Sequence, residues 1–160
     1  MKIYFASDHA GFNLKNKLIS MVKDLGYNTE DLGPSFYDPN DDYPIYIARA
    51  AEIVSHDPKN SRAIILGASG EGEDMVADKF PAVRSAEFYG GPLDIVRLSR
   101  EHNDANVLSL GANFISEEEA KEAVKIWLET PFSKEERHIR RLGQIEELEK
   151  HLHKNLSSYE

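Results

Sequence analysis

Short apolar segments alternate along the chain with segments whose apolar residues recur at helical spacing, and this alternation limits the possible folds most strongly. The apolar segments are predicted strands at residues 2–7, 27–32, 62–67, 83–88 and 107–111. Strands separated by helices favour parallel βαβ units with right-handed crossovers. The sequence therefore predicts an α/β, Rossmann-like, doubly wound five-stranded parallel sheet. We expect the common strand order 2-1-3-4-5.

The predicted helices complete a single domain, since 160 residues leave no room for two. They cover residues 11–25, 43–55, 73–79, 93–101, 116–128 and 133–156. The last helix carries an apolar stripe, formed by Ile139, Leu142, Ile145, Leu148, Leu152 and Leu156. Little of the domain is left for this stripe to cover. We therefore expect a C-terminal helical extension, about residues 133–160, to take part in a dimer contact.

Composition excludes several classes of function. The formal charge of −9, from 19 basic and 28 acidic residues, disfavours binding to nucleic acid or to an anionic membrane. No apolar segment is long enough to span a bilayer, and the apolar N-terminus is too short for a signal peptide, so a cytoplasmic protein is expected. The absence of cysteine excludes thiolate metal sites and cysteine nucleophiles. The histidines lack metal-site spacing, and we expect no metal or cofactor.

Two polar loops are expected to meet at the carboxyl edge of the sheet, because strands 1 and 3 are neighbours in the predicted order. The first loop, residues 7–11, contains Asp8 and His9, and the second, residues 67–72, is rich in glycine. Small residues let backbone N–H groups approach an anion, although the loop matches neither a P-loop nor a dinucleotide fingerprint. An oxyanion hole beside a carboxylate is one interpretation. The alternative is purely structural, because acids in a first helical turn stabilise the helix.

Five separated segments are more specific than either loop alone. They are residues 7–11, 42–44, 67–79, 99–107 and 137–141. In this order they resemble signature segments of the type B ribose-5-phosphate isomerases and the related galactose-6-phosphate isomerases. The resemblance covers about residues 1–145. It implies an aldose–ketose isomerase that acts on a small phosphorylated sugar, foremost ribose 5-phosphate, by proton transfer through an enediolate.

The resemblance also implies roles for individual residues. Glu73 would be the base that moves the proton, as in a branch of the family that uses a glutamate at this position. Asp8 and His102 would open the sugar ring, and Ser69 would help to hold the enediolate. Substrate-binding roles fall to the remaining matched positions, namely His9, Tyr43, Gly70, Glu71, Gly72, Asn103, Arg137 and Arg141. Of these, His9 and the two arginines would hold the phosphate.

The family places its site between two subunits, so a homodimer or tetramer with shared sites is implied. The sequence also departs from the family pattern. Gly67 stands where many members carry a cysteine base, and Asn113 stands where members usually carry a phosphate-binding arginine. Glu71 is an acidic rival of Glu73 in the same loop.

These departures keep three alternatives open. One is a non-catalytic sugar-phosphate binding protein. Another is an isomerase of a hexose phosphate or an unphosphorylated sugar on the same scaffold. The third, a flavodoxin-like redox or signalling module, is disfavoured in its phosphoacceptor form because Gly67 ends the third predicted strand.

Overall fold

The fold is an α/β sandwich, and the computed structural model describes the backbone of residues 1–156 and the side chains of residues 1–152. The strands are β1 (Lys2–Ser7), β2 (Asn28–Asp31), β3 (Ser61–Gly67), β4 (Ser85–Phe88) and β5 (Val107–Gly111). The helices are α1 (Phe12–Asp24), α2 (Tyr43–His56), α3 (Glu71–Ala77), α4 (Asp94–Asn103), α5 (Glu117–Glu129) and α6 (Glu136–Leu156). The predicted Rossmann-like five-stranded parallel sheet is confirmed.

The strand order is β2-β1-β3-β5-β4, so the predicted order 2-1-3-4-5 is wrong in its last two strands. β5 pairs with β3, with Gly67 opposite Gly111, and β4 forms the edge. Every residue of β5 is buried, whereas only Phe88 of β4 is. The more apolar strand therefore takes the inner position, and the edge accepts the strand that contains Glu87.

Two hydrophobic clusters cover the faces of the sheet. One packs α1, α4 and α5 on the sheet around the fully buried Trp127, and the other packs α2 and α3 around Ile47 and Ile65. A capping box starts α5, because the Ser116 hydroxyl accepts the Glu119 N–H while the Glu119 carboxylate accepts the Ser116 N–H at 2.8 Å. The cap fixes the direction in which α5 leaves β5.

α6 begins at Glu136 rather than at residue 133, because Lys134 has a φ of 58°, which a right-handed helix does not accommodate. Its apolar stripe is mostly exposed, at Ile139, Ile145, Leu148 and Leu152. The Leu156 side chain and residues 157–160 of the predicted extension lie outside the described residues. Across the part of the chain that the structure describes, no helix combines the length and apolarity needed to cross a bilayer.

Candidate active site

The loops that follow β1 and β3 lie against each other at the carboxyl edge of the sheet, as predicted. The Asp8 N–H donates to the Leu66 carbonyl at 3.3 Å, and the buried Asp8 carboxylate accepts the Gly11 N–H at 3.1 Å. A Cβ on Gly11 would lie 2.6 Å from the Leu66 Cβ. Glycine at position 11 is therefore what allows the loop after β1 to lie against the end of β3.

The glycine-rich loop is held in place by the neighbouring β5. Gly70 precedes α3 with a φ of 88°, which favours glycine, and its carbonyl accepts a hydrogen bond from the buried Ser109 hydroxyl at 2.7 Å. The Ser69 hydroxyl accepts the Glu71 N–H at 3.3 Å. Gly111 packs against the Ser69 carbonyl, so β5 contacts the loop at two points. The amides that open α3 are thus fixed rather than free to rearrange.

The Glu73 carboxylate lies directly over the Cα atom of Gly67. A Cβ built on Gly67 would overlap this carboxylate, and Glu73 is 4% exposed. Burial raises the pKa of Glu73 above its usual 4.5, and the negative charge of Asp8 raises it further. A hydrogen bond from the backbone N–H of Glu73 to its own carboxylate partly opposes this rise. Glu71, in contrast, is exposed. The geometry therefore separates two carboxylates that the sequence left as rivals.

Tyr43, the first residue of α2, closes the loop from the other side. A Cβ on Gly72 would lie 2.9 Å from the Tyr43 hydroxyl oxygen and 2.8 Å from the ring carbon that carries it. The ring therefore packs on the backbone of Gly72, beside the start of α3. Any larger residue at position 72 would displace the ring, and the pocket-lining role of Tyr43 stays a prediction.

His9 is held by Asp41, a residue that the sequence analysis missed. The Asp41 carboxylate lies 2.7 Å from the His9 Nδ1 atom and accepts the His9 backbone N–H at 2.9 Å. This hydrogen bond, with a smaller contribution from Asp8, raises the pKa of His9 above 6.5. A charged imidazole is an anion-binding group. The only signal in the sequence was the position of Asp41 beside the segment 42–44.

Among the described residues, one group of side chains has its possible ligand atoms close enough together for a metal ion. The group consists of Asp8, His9 and Asp41, whose atoms lie within 4.8 Å of one another. The two carboxylates stabilise a proton on the ring of His9, and a protonated ring does not ligate a metal. A metal ion would therefore have to displace the proton that these carboxylates favour on His9.

The remaining predicted residues lie at the opposite, amino edge of the sheet. His102 and Asn103 end α4, a helix of ten residues that spans about 15 Å and carries the chain back from the carboxyl edge. The Ser133 N–H donates to the Glu101 carbonyl at 2.9 Å, which brings the start of α6 to the same place. Arg137 and Arg141 are exposed there. One chain therefore holds the predicted site residues in two separated groups.

A second carboxylate near Glu73 was not anticipated. Glu87 of β4 has a buried carboxylate oxygen without a hydrogen-bond partner among the described residues. Burial, followed by the charges of Asp74, Glu71 and Glu73, raises its pKa to about 7. Asn113 is exposed near the same edge, and its N–H donates to the Ala68 carbonyl at 3.0 Å. The loop thus lies among carboxylates and lacks the arginine that family members usually carry at position 113.

Comparisons with known proteins show the family of the chain. The family model described as Ribose/Galactose Isomerase matches residues 3–145. Ribose-5-phosphate isomerase B of Mycolicibacterium paratuberculosis is 38% identical over 150 residues, which cover 94% of this chain and 92% of that protein.

Solved structures agree in fold as well as in sequence. The structure of ribose-5-phosphate isomerase B from Mycoplasma genitalium with bound ribulose-5-phosphate has a TM-score of 0.89 and 34% identity, over 93% of this chain and 96% of that chain. Ribose-5-phosphate isomerase B of Clostridium thermocellum has a TM-score of 0.87 and 36% identity, over 95% of this chain and 99% of that chain. By these matches and by its own signature segments, the chain belongs to the ribose/galactose isomerase family.

Proposed function

We propose that this protein interconverts ribose 5-phosphate and ribulose 5-phosphate. The observation that carries the proposal is the buried Glu73 carboxylate, which lies over Gly67 beside the amides that open α3. A base next to fixed N–H donors suits proton transfer at a carbon adjacent to a carbonyl. A protein that only bound the sugar phosphate would have no use for a buried base at this position.

The reaction begins with ring opening. A proton leaves the anomeric hydroxyl and another is delivered to the ring oxygen, and these two transfers are assigned to Asp8 and His102. Glu73 then removes the proton from C2 of the open aldose, and the electron pair forms the C1–C2 double bond of the enediolate. A proton passes from the C2 hydroxyl to O1, and protonated Glu73 returns its proton to C1 to give the ketose.

The enediolate carries negative charge on oxygen, and fixed donors stabilise it. Ser69 and the amides of Gly70, Glu71 and Gly72 would surround that oxygen. Loss of one such donor typically costs about 3 kcal/mol of transition-state stabilisation. Tyr43 would line the pocket and Asn103 would contact a sugar hydroxyl. His9, Arg137 and Arg141 would hold the phosphate.

Each complete site would need two chains. Within one chain, Glu73 lies at the carboxyl edge of the sheet while His102, Arg137 and Arg141 lie at the amino edge, so a second copy has to supply the missing half. Exposed apolar side chains occur at both places. Phe36, Tyr89 and Phe114 are exposed at the carboxyl edge, and Leu148 and Leu152 are exposed on α6. We therefore propose a homodimer, or a tetramer built from it, and the cytoplasm as its location.

The substrate assignment is tested with a panel of aldose phosphates of five and six carbons and the matching unphosphorylated sugars, followed by NMR. We expect the fastest interconversion with ribose 5-phosphate. Faster turnover of a hexose phosphate would assign a different substrate of the same family to this protein. The departure at Asn113 and the carboxylates around the loop are compatible with such a change of substrate. No turnover of any sugar would favour the non-catalytic interpretation.

Arg137→Ala should raise the KM for ribose 5-phosphate by about tenfold or more, because a charge-assisted contact to phosphate is lost. The kcat should change less, since the phosphate is remote from the reacting carbons. The matched control is Arg49→Ala, which removes an exposed arginine from α2. An unchanged KM in Arg137→Ala would remove this residue from the site.

The activity should depend on pH through two groups whose pKa values are raised. The base form of Glu73 is lost as pH falls through a pKa above 4.5, so kcat/KM should fall on the acid side at a higher pH than for an ordinary glutamate. The charge on His9 is lost as pH rises through a pKa above 6.5, so KM should rise on the alkaline side. His9→Asn should abolish the alkaline rise of KM and leave the acid-side fall of kcat/KM unchanged. This result would distinguish the titration of His9 from the titration of the substrate phosphate. If His9→Asn leaves that rise unchanged, His9 does not hold the phosphate.

Two inactive variants should restore each other when their subunits are mixed. In a dimer of Glu73→Gln with His102→Ala, one site contains both changes and the other contains neither. Random reassociation should recover about one quarter of the wild-type activity, because half of the dimers are mixed and half of their sites are intact. Mixing Glu73→Gln with Ser69→Ala is the control and should recover nothing. Failure of the first mixture to regain activity would place each site within one chain.

A further inference from the structure

A cavity of about 700 Å³ lies at the amino edge of the sheet, away from the loops after β1 and β3. Five cationic side chains line it, namely Lys59, Arg62, Arg84, Arg100 and Lys134. Two carboxylates, Asp104 and Glu146, also line it. In a chain of formal charge −9, such an excess of positive charge around one cavity requires an explanation.

Arg84 and Arg100 have partners within the protein. Arg84 donates to the Asp104 carbonyl at 2.9 Å and to the Asp104 carboxylate at 3.2 Å. Arg100, which is 3% exposed, contacts the same carboxylate at 2.8 Å and donates to the Ala105 carbonyl at 2.5 Å. Asp104 is therefore shared by two guanidinium groups and has little capacity left for a third.

Arg62 is the guanidinium without an anionic partner. Its one hydrogen bond among the described residues is a long one, 3.4 Å to the Leu128 carbonyl, so most of its five N–H donors remain available. No carboxylate in the described part of the chain lies within ion-pair distance of it. Burial and the positive charge of Arg100 lower the pKa of Arg62 to about 10, which marks a cation in unfavourable surroundings.

The surroundings of Arg62 are rich in donors and short of acceptors. Its guanidinium lies over the ring of Trp127, 5.4 Å from the centroid, and Arg100 lies over the same ring at 5.8 Å. The indole N–H of the fully buried Trp127 has no acceptor among the described residues either. A bound anion would relieve the repulsion between the guanidinium groups of Arg62 and Arg100. It would also accept hydrogen bonds from the unused N–H groups of Arg62.

We propose that this cavity is a second anion site, distinct from the isomerase site, which binds a small phosphate-bearing molecule through Arg62, Lys59 and Lys134. A guanidinium fork matches two phosphate oxygens, while lysines contribute charge without fixed geometry. The excess of three positive charges, five cations less two carboxylates, suits a ligand with two or more negative charges. The residues assigned to the isomerase site do not line this cavity.

The test measures binding of inorganic pyrophosphate by calorimetry to the full chain carrying Arg137→Ala and Arg141→Ala, which weakens the phosphate position of the isomerase site. We expect about one pyrophosphate per chain, and an increase in melting temperature when it is added. Adding Arg62→Met keeps the apolar part of the side chain and removes its charge. The affinity should fall about tenfold or more.

Arg49→Met is the matched control and should leave the affinity unchanged, because Arg49 is an exposed arginine of α2 outside the cavity. The double variant Lys59→Gln with Lys134→Gln changes exposed residues only, so it tests the site even if Arg62→Met does not fold. Its affinity should fall and depend less on salt. Absence of pyrophosphate binding, or equal binding by the control and the cavity variants, would overturn the proposal.

Discussion

Replacement of Glu73 by glutamine should lower kcat by about 100-fold or more, the range expected for the loss of a general base. Glutamine has nearly the same size as glutamate and fits the space over Gly67, but its amide does not take up the proton. The melting temperature should hardly change, because no core volume is removed. Burial even makes the charged form of Glu73 unfavourable, as its raised pKa indicates.

Glu71→Gln is the matched control for this experiment. It changes the same functional group two residues away, but Glu71 is exposed, whereas Glu73 is 4% exposed. We expect only a mild decrease in kcat. A large decrease in Glu71→Gln, with an active Glu73→Gln, would mean that the exposed carboxylate is the base and that Glu73 has a structural role.

Gly67→Ala should lower kcat nearly as much as removal of the Glu73 carboxylate itself. The added Cβ would occupy the position of that carboxylate, so the base would be pushed out of its place. The cost in stability should be smaller than for a clash with the backbone, because the clash is with the end of a flexible side chain that can move away. The backbone of Gly67 does not have a positive φ, so any effect comes from the clash and not from backbone strain.

The double variant Gly67→Ala with Glu73→Ala separates the two effects. Removing the carboxylate removes the clash, so the melting temperature should recover relative to Gly67→Ala while the activity stays low. Wild-type kcat in Gly67→Ala would show that the carboxylate does not need its position over residue 67. The two positions are coupled, since the Glu73 carboxylate occupies the space that a side chain at position 67 would need. This accounts in physical terms for glycine at a position where many relatives carry a cysteine base.

The sequence predicted the sheet but not the order of its last two strands. Helical spacing and short apolar segments identify each element, and the preference for right-handed crossovers then makes the sheet parallel. The choice between β4 and β5 for the inner position depends on burial, and the polar Ser85 and Glu87 in β4 were the available signal. Segment 83–88 resembled the other apolar segments because it begins with Val83 and ends with Phe88.

The sequence predicted only the part of the site that follows from the positions of the strands. The carboxyl-edge loops follow from strand order, so Asp8 and the glycine-rich loop could be placed together from the sequence. The separation of His102 from Glu73 depends on the direction and length of α4, which motifs do not contain. Asp41 and Arg62 were missed because each acts through a contact distant in sequence, with His9 and with Arg100 respectively.

The most direct test of the central claim, that Glu73 moves the proton between the two carbons, is exchange of the C2 proton of ribose 5-phosphate in deuterated water, followed by NMR. The wild-type protein and Glu71→Gln should exchange this proton and form ribulose 5-phosphate. Glu73→Gln should exchange it about 100-fold more slowly or not at all. Undiminished exchange in Glu73→Gln, or exchange abolished only in Glu71→Gln, would contradict the account.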